Sequence, residues 1–174
     1  MERSADKIEI FCFRVRDVNP RALKNRFAIP KNKYDFLFYY KDFLFPIEAK
    51  STSAKSISFS ESIIKANQIK SLTEDSKFEG VIPGFIFNFR SVNETYFVYI
   101  HDFNKYKHIA ENQLPNSYKA KVNRASIPVA ICREIGYRIP AKLLRTRYRY
   151  DLDSLFNELI EHYSYEVTNI ERQK

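Results

Sequence analysis

The 174-residue sequence holds two cysteines and three histidines, and no apolar run approaches the ~18 residues that a membrane-spanning helix needs. Cys12 and Cys132 lie far apart beside apolar neighbours, so they read as reduced core residues and not as a disulfide framework. His101, His108 and His162 show no HxxxH or Cys/His spacing, which argues against a zinc site and leaves histidine catalysis unsupported. The N-terminus Met1-Glu2-Arg3-Ser4 lacks the apolar core of a signal peptide, and no internal repeat or low-complexity linker interrupts the chain. The expectation is a soluble intracellular protein, with no membrane partner, folded as one domain over residues 1–174.

What is present points to a globular core with a polyanionic partner. Hydrophobic residues make up 44% and aromatic residues 16% of the chain, ample for a core. Lys and Arg number 29 against 21 Asp and Glu, a net charge of +8 that suits nucleic acid. Between residues 16 and 33 the sequence is basic and irregular, with Arg21, Lys24, Arg26, Lys31 and Lys33 opposed by Asp17 alone. Such a loop can follow a phosphate backbone or simply be solvated.

Hydrophobic spacing predicts a mixed α/β fold. A strand is expected over Ile8 to Val15, and two further strands, Tyr34 to Tyr40 and Phe43 to Lys50, flank Lys41-Asp42 as a tight hairpin. Ser58 and Glu61 have capping-box spacing, so a helix is predicted from Ser60 to about Lys77. Val81 to Arg90 and Thr95 to His101 predict a second hairpin, followed by a short helix over Asn104 to Gln113 and a polar loop to Ser126. Leu143 to Tyr150 alternates strictly, and Asp151 is placed to cap a terminal amphipathic helix within 151–174. The whole reads as a mixed central sheet flanked by helices.

Three charges converge in the first hairpin. A two-residue turn sets Asp35 opposite Glu48 with both side chains on one face, and the period of two sends Lys50 to that face as well. Facing carboxylates in an apolar hairpin repel unless one is protonated or a cation lies between them. Mg²⁺ answers that need with oxygen ligands and an acidified water; an ordinary strand-end salt bridge from Lys50 fits the same spacing. Gln68 falls on the apolar stripe of the following helix, between Ile64 and Leu72, where its amide needs either a metal site or a backbone carbonyl as partner. In Arg145-Thr146-Arg147-Tyr148-Arg149-Tyr150, a strand would place Arg145, Arg147 and Arg149 on one face, either to contact DNA or as a solvated edge.

Asp35 followed by Glu48-Ala49-Lys50 resembles the PD-(D/E)XK nuclease signature, with Tyr34 where the proline stands. The surrounding YDFLFYY, FPIEAKST, ANQIKSL, GFIFNFR, TYFVYI and RTRYRYDL are similar to RecU-type Holliday junction resolvases, especially phage-encoded ones, over roughly Ile8 to Leu155. The resemblance implies a restriction-endonuclease-like core and a homodimer that nicks four-way DNA junctions symmetrically with Mg²⁺ or Mn²⁺. It assigns Asp35 and Glu48 as metal carboxylates, Gln68 as a glutamine near the metal and Lys50 as the transition-state lysine. Three departures stand out: Lys33 occupies the position of a metal-site threonine, only Met1 to Lys7 precede the first strand, leaving a partial N-terminal helix with Glu2, and only Arg16 to Lys33 could correspond to the protruding stalk. The expected function is a junction-resolving endonuclease of recombination and repair in a prokaryotic cytoplasm, during phage infection or otherwise. The rival expectations are a non-catalytic DNA-binding recombination modulator with a degenerate site, and a nuclease for other DNA structures.

Overall fold

Lys41 and Asp42 take φ values of 47° and 66°, the left-handed pair of a type I′ turn, and this turn sets the register of the sheet. The computed structural model describes residues 1–6, 8, 10–15, 32–145 and 148–172, with side chains to 165 in the last helix. On either side of the turn β2 (Phe36–Tyr40) and β3 (Phe43–Thr52) pair antiparallel, Phe36 opposite Ile47 and Tyr40 opposite Phe43, as a two-residue connection requires. A short α1 (Glu2–Ala5) leads into β1 (Phe11–Arg14), which pairs with the free side of β2.

Beyond β3, a small strand β4 (Ser56–Ser58) precedes α2 (Ala66–Asp75), the crossover that lets β5 (Gly84–Phe89) run parallel to β3. The antiparallel β6 (Glu94–Tyr99) follows, then α3 (Ile100–Asn112), β7 (Ser126–Pro128) paired with β4, α4 (Val129–Ile135) and β8 (Tyr137–Arg138). β9 (Ala141–Leu143) and β10 (Tyr148–Tyr150) form a separate hairpin, and α5 (Leu152–Arg172) ends the described chain. The six-stranded sheet has the order β1-β2-β3-β5-β6-β8. This is the mixed α/β sheet flanked by helices that the sequence predicts.

Alternation along the strands sorts the core into two layers. Phe85, Phe87 and Phe89 face one side, where Phe103 and Tyr106 of α3 and Leu72 of α2 cover them. Phe38, Phe45, Ile47, Ile86 and Phe97 face the other, against Leu152, Leu155, Phe156 and Leu159 of α5, with Phe45 and Phe156 stacked at 4.3 Å. All six residues of β5 are buried, as expected of a strand covered on both faces. The hairpin turn is fastened to α5: Tyr40 donates its hydroxyl to Asp153 at 2.7 Å and Lys41 its ammonium to Asn157 at 2.7 Å. Along the outer strand, Phe11 and Phe13 are 59% and 55% exposed, on the same face as Tyr39. Both cysteines are free thiols; burial raises Cys12 to about 11 and pushes Cys132 up as well, so neither is a reactive thiolate.

Three expectations are corrected, and one segment without an expectation is filled. α2 begins at Ala66, not near Ser60, because residues 60–64 turn on their own backbone bonds and Glu61 instead accepts the N–H of Ala66 at 2.8 Å. α3 starts earlier than expected, at Ile100, directly after β6. Residues 126–135, unassigned from the sequence, hold β7 and α4. The alternating run Leu143 to Tyr150 is no single strand: Leu143 ends β9, Arg145 lies in a bend and Tyr148 opens β10. The bend at Arg145 interrupts the alternation, so the run does not present Arg145 and Arg149 along one continuous strand face.

Candidate active site

β3 carries Glu48 and Lys50 in register with Phe85 and Phe87 of β5, hence on the face over which α2 passes. Asp35 sits at the bend just before β2. Its N–H donates to the Ile47 carbonyl at 3.0 Å, its carbonyl accepts from Val15 at 2.9 Å, and its Oδ2 accepts the Ala49 N–H at 3.0 Å. Three backbone contacts therefore fix this carboxylate beside the strand that bears Glu48. The predicted convergence of Asp35, Glu48 and Lys50 is present.

Glu48 is only 2% exposed. Its Oε1 accepts from Lys50 Nζ at 2.7 Å and from Gln68 Nε2 at 2.5 Å, while its Oε2 is buried with no hydrogen-bond partner. Burial raises the Glu48 carboxyl to about 6; the hydrogen bond from Lys50 opposes the rise and the negative charge of Asp35 adds to it. Gln68 is buried in the first turn of α2, and its Oε1 accepts from Lys50 Nζ at 3.3 Å and from the Lys65 N–H at 3.1 Å. Its amide thus ties the helix start to the carboxylate, and the partner that the sequence demanded for it is Glu48 itself.

These four side chains line a cavity of about 270 Å³. Asn32, Tyr34, Lys65 and Asn67 complete its wall. Of these, Lys65 and Asn67 were hidden in the sequence because a helix starting at Ser60 would have placed them mid-helix; the signal was Gln68, whose first-turn position puts them at the helix mouth.

The donors suit a hard divalent cation. Two carboxylates and an amide oxygen are oxygen ligands, and the orphaned Glu48 Oε2, costly to bury alone, would be satisfied by a cation in the cavity. Among the described residues no three His, Cys, Asp or Glu cluster together. The remaining ligands would be water and phosphate oxygens, which is how Mg²⁺ is commonly held and how Zn²⁺ is not. The Lys50 ammonium at Glu48 Oε1 is the ion pair that the spacing also allowed, and it provides the positive charge of the metal-free arrangement.

The other expected residues are spread around this centre. Lys33 points its ammonium toward Asp75 at 4.0 Å, at the far end of α2, and is not part of the cavity wall. Glu2 pairs with Arg14 at 3.8 Å, outside that wall. Arg149 is exposed and directly opposite Lys142 in the β9–β10 ladder, a like-charge pair, and Arg145 is exposed at the bend. Arg21, Lys24, Arg26 and Arg147 lie outside the described residues.

Residues 7–143 match the family described as Recombination protein U, RecU. The chain is 51% identical over 162 residues to the SPbeta prophage-derived uncharacterized protein YotM of Bacillus subtilis (strain 168), covering 92% of this chain and 83% of that protein. Among solved structures it is similar to Hjc of Archaeoglobus fulgidus, a Holliday junction resolvase from an archaeal hyperthermophile, at 11% identity and a TM-score of 0.48, over 78% of this chain and 88% of that one.

Proposed function

The chain belongs to the RecU family, and from that premise we propose that it is a metal-dependent endonuclease that resolves four-way DNA junctions, working as a homodimer with one site per subunit. The observation that carries this reading is the buried Glu48, with one oxygen unpartnered, facing Asp35 across a polar cavity. Asp35 and Glu48 would hold Mg²⁺ or Mn²⁺, with Gln68 contributing its oxygen or orienting Glu48 through its amide. When bound, the ion supplies an acidified water and offsets phosphate charge. Lys50, already poised at Glu48 Oε1, stabilises the charge that develops on the phosphate. The phosphate backbone would be held by the exposed Arg145, Arg149 and Lys33, with Arg147, Arg21, Lys24 and Arg26, which lie outside the described residues, as further candidates. A prophage-derived relative fits a role in recombination during phage infection of a bacterial cell, and among the described residues no helix is long and apolar enough to cross a membrane.

One observation favours a second reading, a DNA-binding recombination modulator without nuclease activity: Lys33 replaces the family's metal-site threonine and turns to Asp75. A labelled four-way junction and a matched linear duplex, incubated with wild type and Glu48→Ala in Mg²⁺ or EDTA, separate the two. The expected result is paired symmetric nicks in the junction alone, lost in EDTA and reduced by about 100-fold or more in the variant. Tight junction binding with no cleavage in Mg²⁺ or Mn²⁺ would establish the modulator, and full cleavage by Glu48→Ala would remove the site assigned here.

A further inference from the structure

Two lysines line the cavity, and they are not equivalent. The ammonium of Lys50 is committed to Glu48 Oε1 and Gln68 Oε1, and its side chain is only 16% exposed. Lys65, in the residue before α2, is exposed at the rim and makes no ion pair among the described residues. Beside it Asn67 lines the same cavity, and neither its backbone N–H nor its side-chain amide has a partner among the described residues. The neighbouring donors are taken: Ala66 N–H by Glu61 and Gln68 N–H by the Lys65 carbonyl. The first turn of α2 carries no acidic side chain of its own; Glu61 reaches it from the preceding turn and takes only the Ala66 N–H, so the open donors at this end are those of Asn67.

We propose that Lys65 and Asn67 are a phosphate clasp, positioning residues that seat the phosphodiester in the cavity before it is cut. The inference rests on reading this cavity as the nuclease site. An ammonium in no ion pair and unused amide donors on the rim of the cavity both favour an anion. They stand on the rim of the wall that carries Asp35 and Glu48, and the ammonium groups of Lys50 and Lys65 in the same wall offset the repulsion that a phosphate meets from those carboxylates, with or without a cation. The size agrees, because about 270 Å³ falls below the roughly 300–1,000 Å³ of small-molecule pockets and takes a backbone phosphate, not a base pair. Labour is thereby divided: Lys50 acts from the buried side on developing charge, and Lys65 acts from the open side on capture and alignment.

The simpler role for Lys65 is a countercharge for Glu48 that merely steadies the fold. Full-length Lys65→Met, Lys65→Arg, Asn67→Ala and Asn67→Asp separate the two. Junction binding is measured in EDTA across a salt series, Mn²⁺ binding by calorimetry, and cleavage as KM and kcat. A clasp predicts that Lys65→Met flattens the slope of log affinity against log salt by about 0.9, the share of one phosphate contact. It also predicts a KM higher by about tenfold, as for one lost charge-assisted hydrogen bond, with Mn²⁺ affinity and unfolding midpoint unchanged. Lys65→Arg restores the slope, and Asn67→Asp weakens binding more than Asn67→Ala does. A wild-type slope and KM in Lys65→Met overturns the proposal, as does a variant whose only defect is a lower unfolding midpoint or weaker Mn²⁺ binding. Because the salt slope is read in EDTA, it decides the matter even for a protein that never cuts DNA, so failure of the clasp is distinct from failure of the nuclease reading.

Discussion

Glu48 is held where ionisation works against the fold. Its native carboxyl titrates near 6 instead of the usual 4.5, so the native state binds the proton more tightly than the unfolded chain does. Its contribution to stability is therefore fully present below pH 4.5 and is lost as pH rises through 6, a difference of roughly 2 kcal/mol at neutral pH. Glu48→Gln abolishes the titration. In EDTA at pH 8 the variant is expected to be more stable than wild type by roughly that amount, and at pH 4 nearly equal to it; urea unfolding at the two pH values checks both, and a variant less stable at pH 8 would show that the Lys50 ion pair outweighs burial. At this scale the sequence was informative for Asp35, Glu48 and Lys50, because a two-residue turn and the period of a strand leave them no other face. It could not show that Gln68 bonds Glu48 directly, since that contact joins a helix to a strand.

Elements were legible where one period dominates. The two hairpins and α5 carry long apolar runs with clear punctuation, and Asp151 caps α5 as expected, accepting the Ser154 N–H at 3.2 Å. Boundaries failed at the serine-rich approach to α2, where local hydrogen bonding competes with period, and at Arg145, where a bend divides an alternating run. What fixes β5 against β6 is a feature that periodicity does not reveal. A Cβ on Gly84 would lie 2.5 Å from the Val98 carbonyl oxygen and 2.5 Å from Phe97 Cζ. The carbonyl belongs to the paired strand and cannot swing aside, so Gly84→Ala is expected to lower stability by about 1–3 kcal/mol, as overpacking does. Thermal unfolding measures this, and an unchanged Tm would mean that β6 can shift away from β5.

For the whole molecule, the proposed cation site would link metal binding to folding. A divalent ion that satisfies Glu48 Oε2 binds the native state and not the unfolded chain, so Mn²⁺ at 100 times its Kd is expected to add about 2.7 kcal/mol to stability. The rise should vanish in Asp35→Ala. Scanning calorimetry with and without EDTA reads it, and an equal rise in both proteins would place the ion elsewhere. The fold class was legible because strand-rich and helix-rich runs alternate around a single parallel crossover. The β4–β7 ribbon was not, because three-residue strands are too short to carry a period.

The sheet is unfinished on one side. β1 presents an outer edge that meets no other strand among the described residues, and Phe11 and Phe13 stand exposed along it. In preparative terms that border governs shelf life: unpaired backbone groups flanked by aromatic rings template further strands, so concentrated stocks will cloud before dilute ones unfold. Phe13→Lys should delay the onset of light scattering while leaving the Mn²⁺ titration as it was, and a stock that clouds just as early would put the adhesive surface elsewhere.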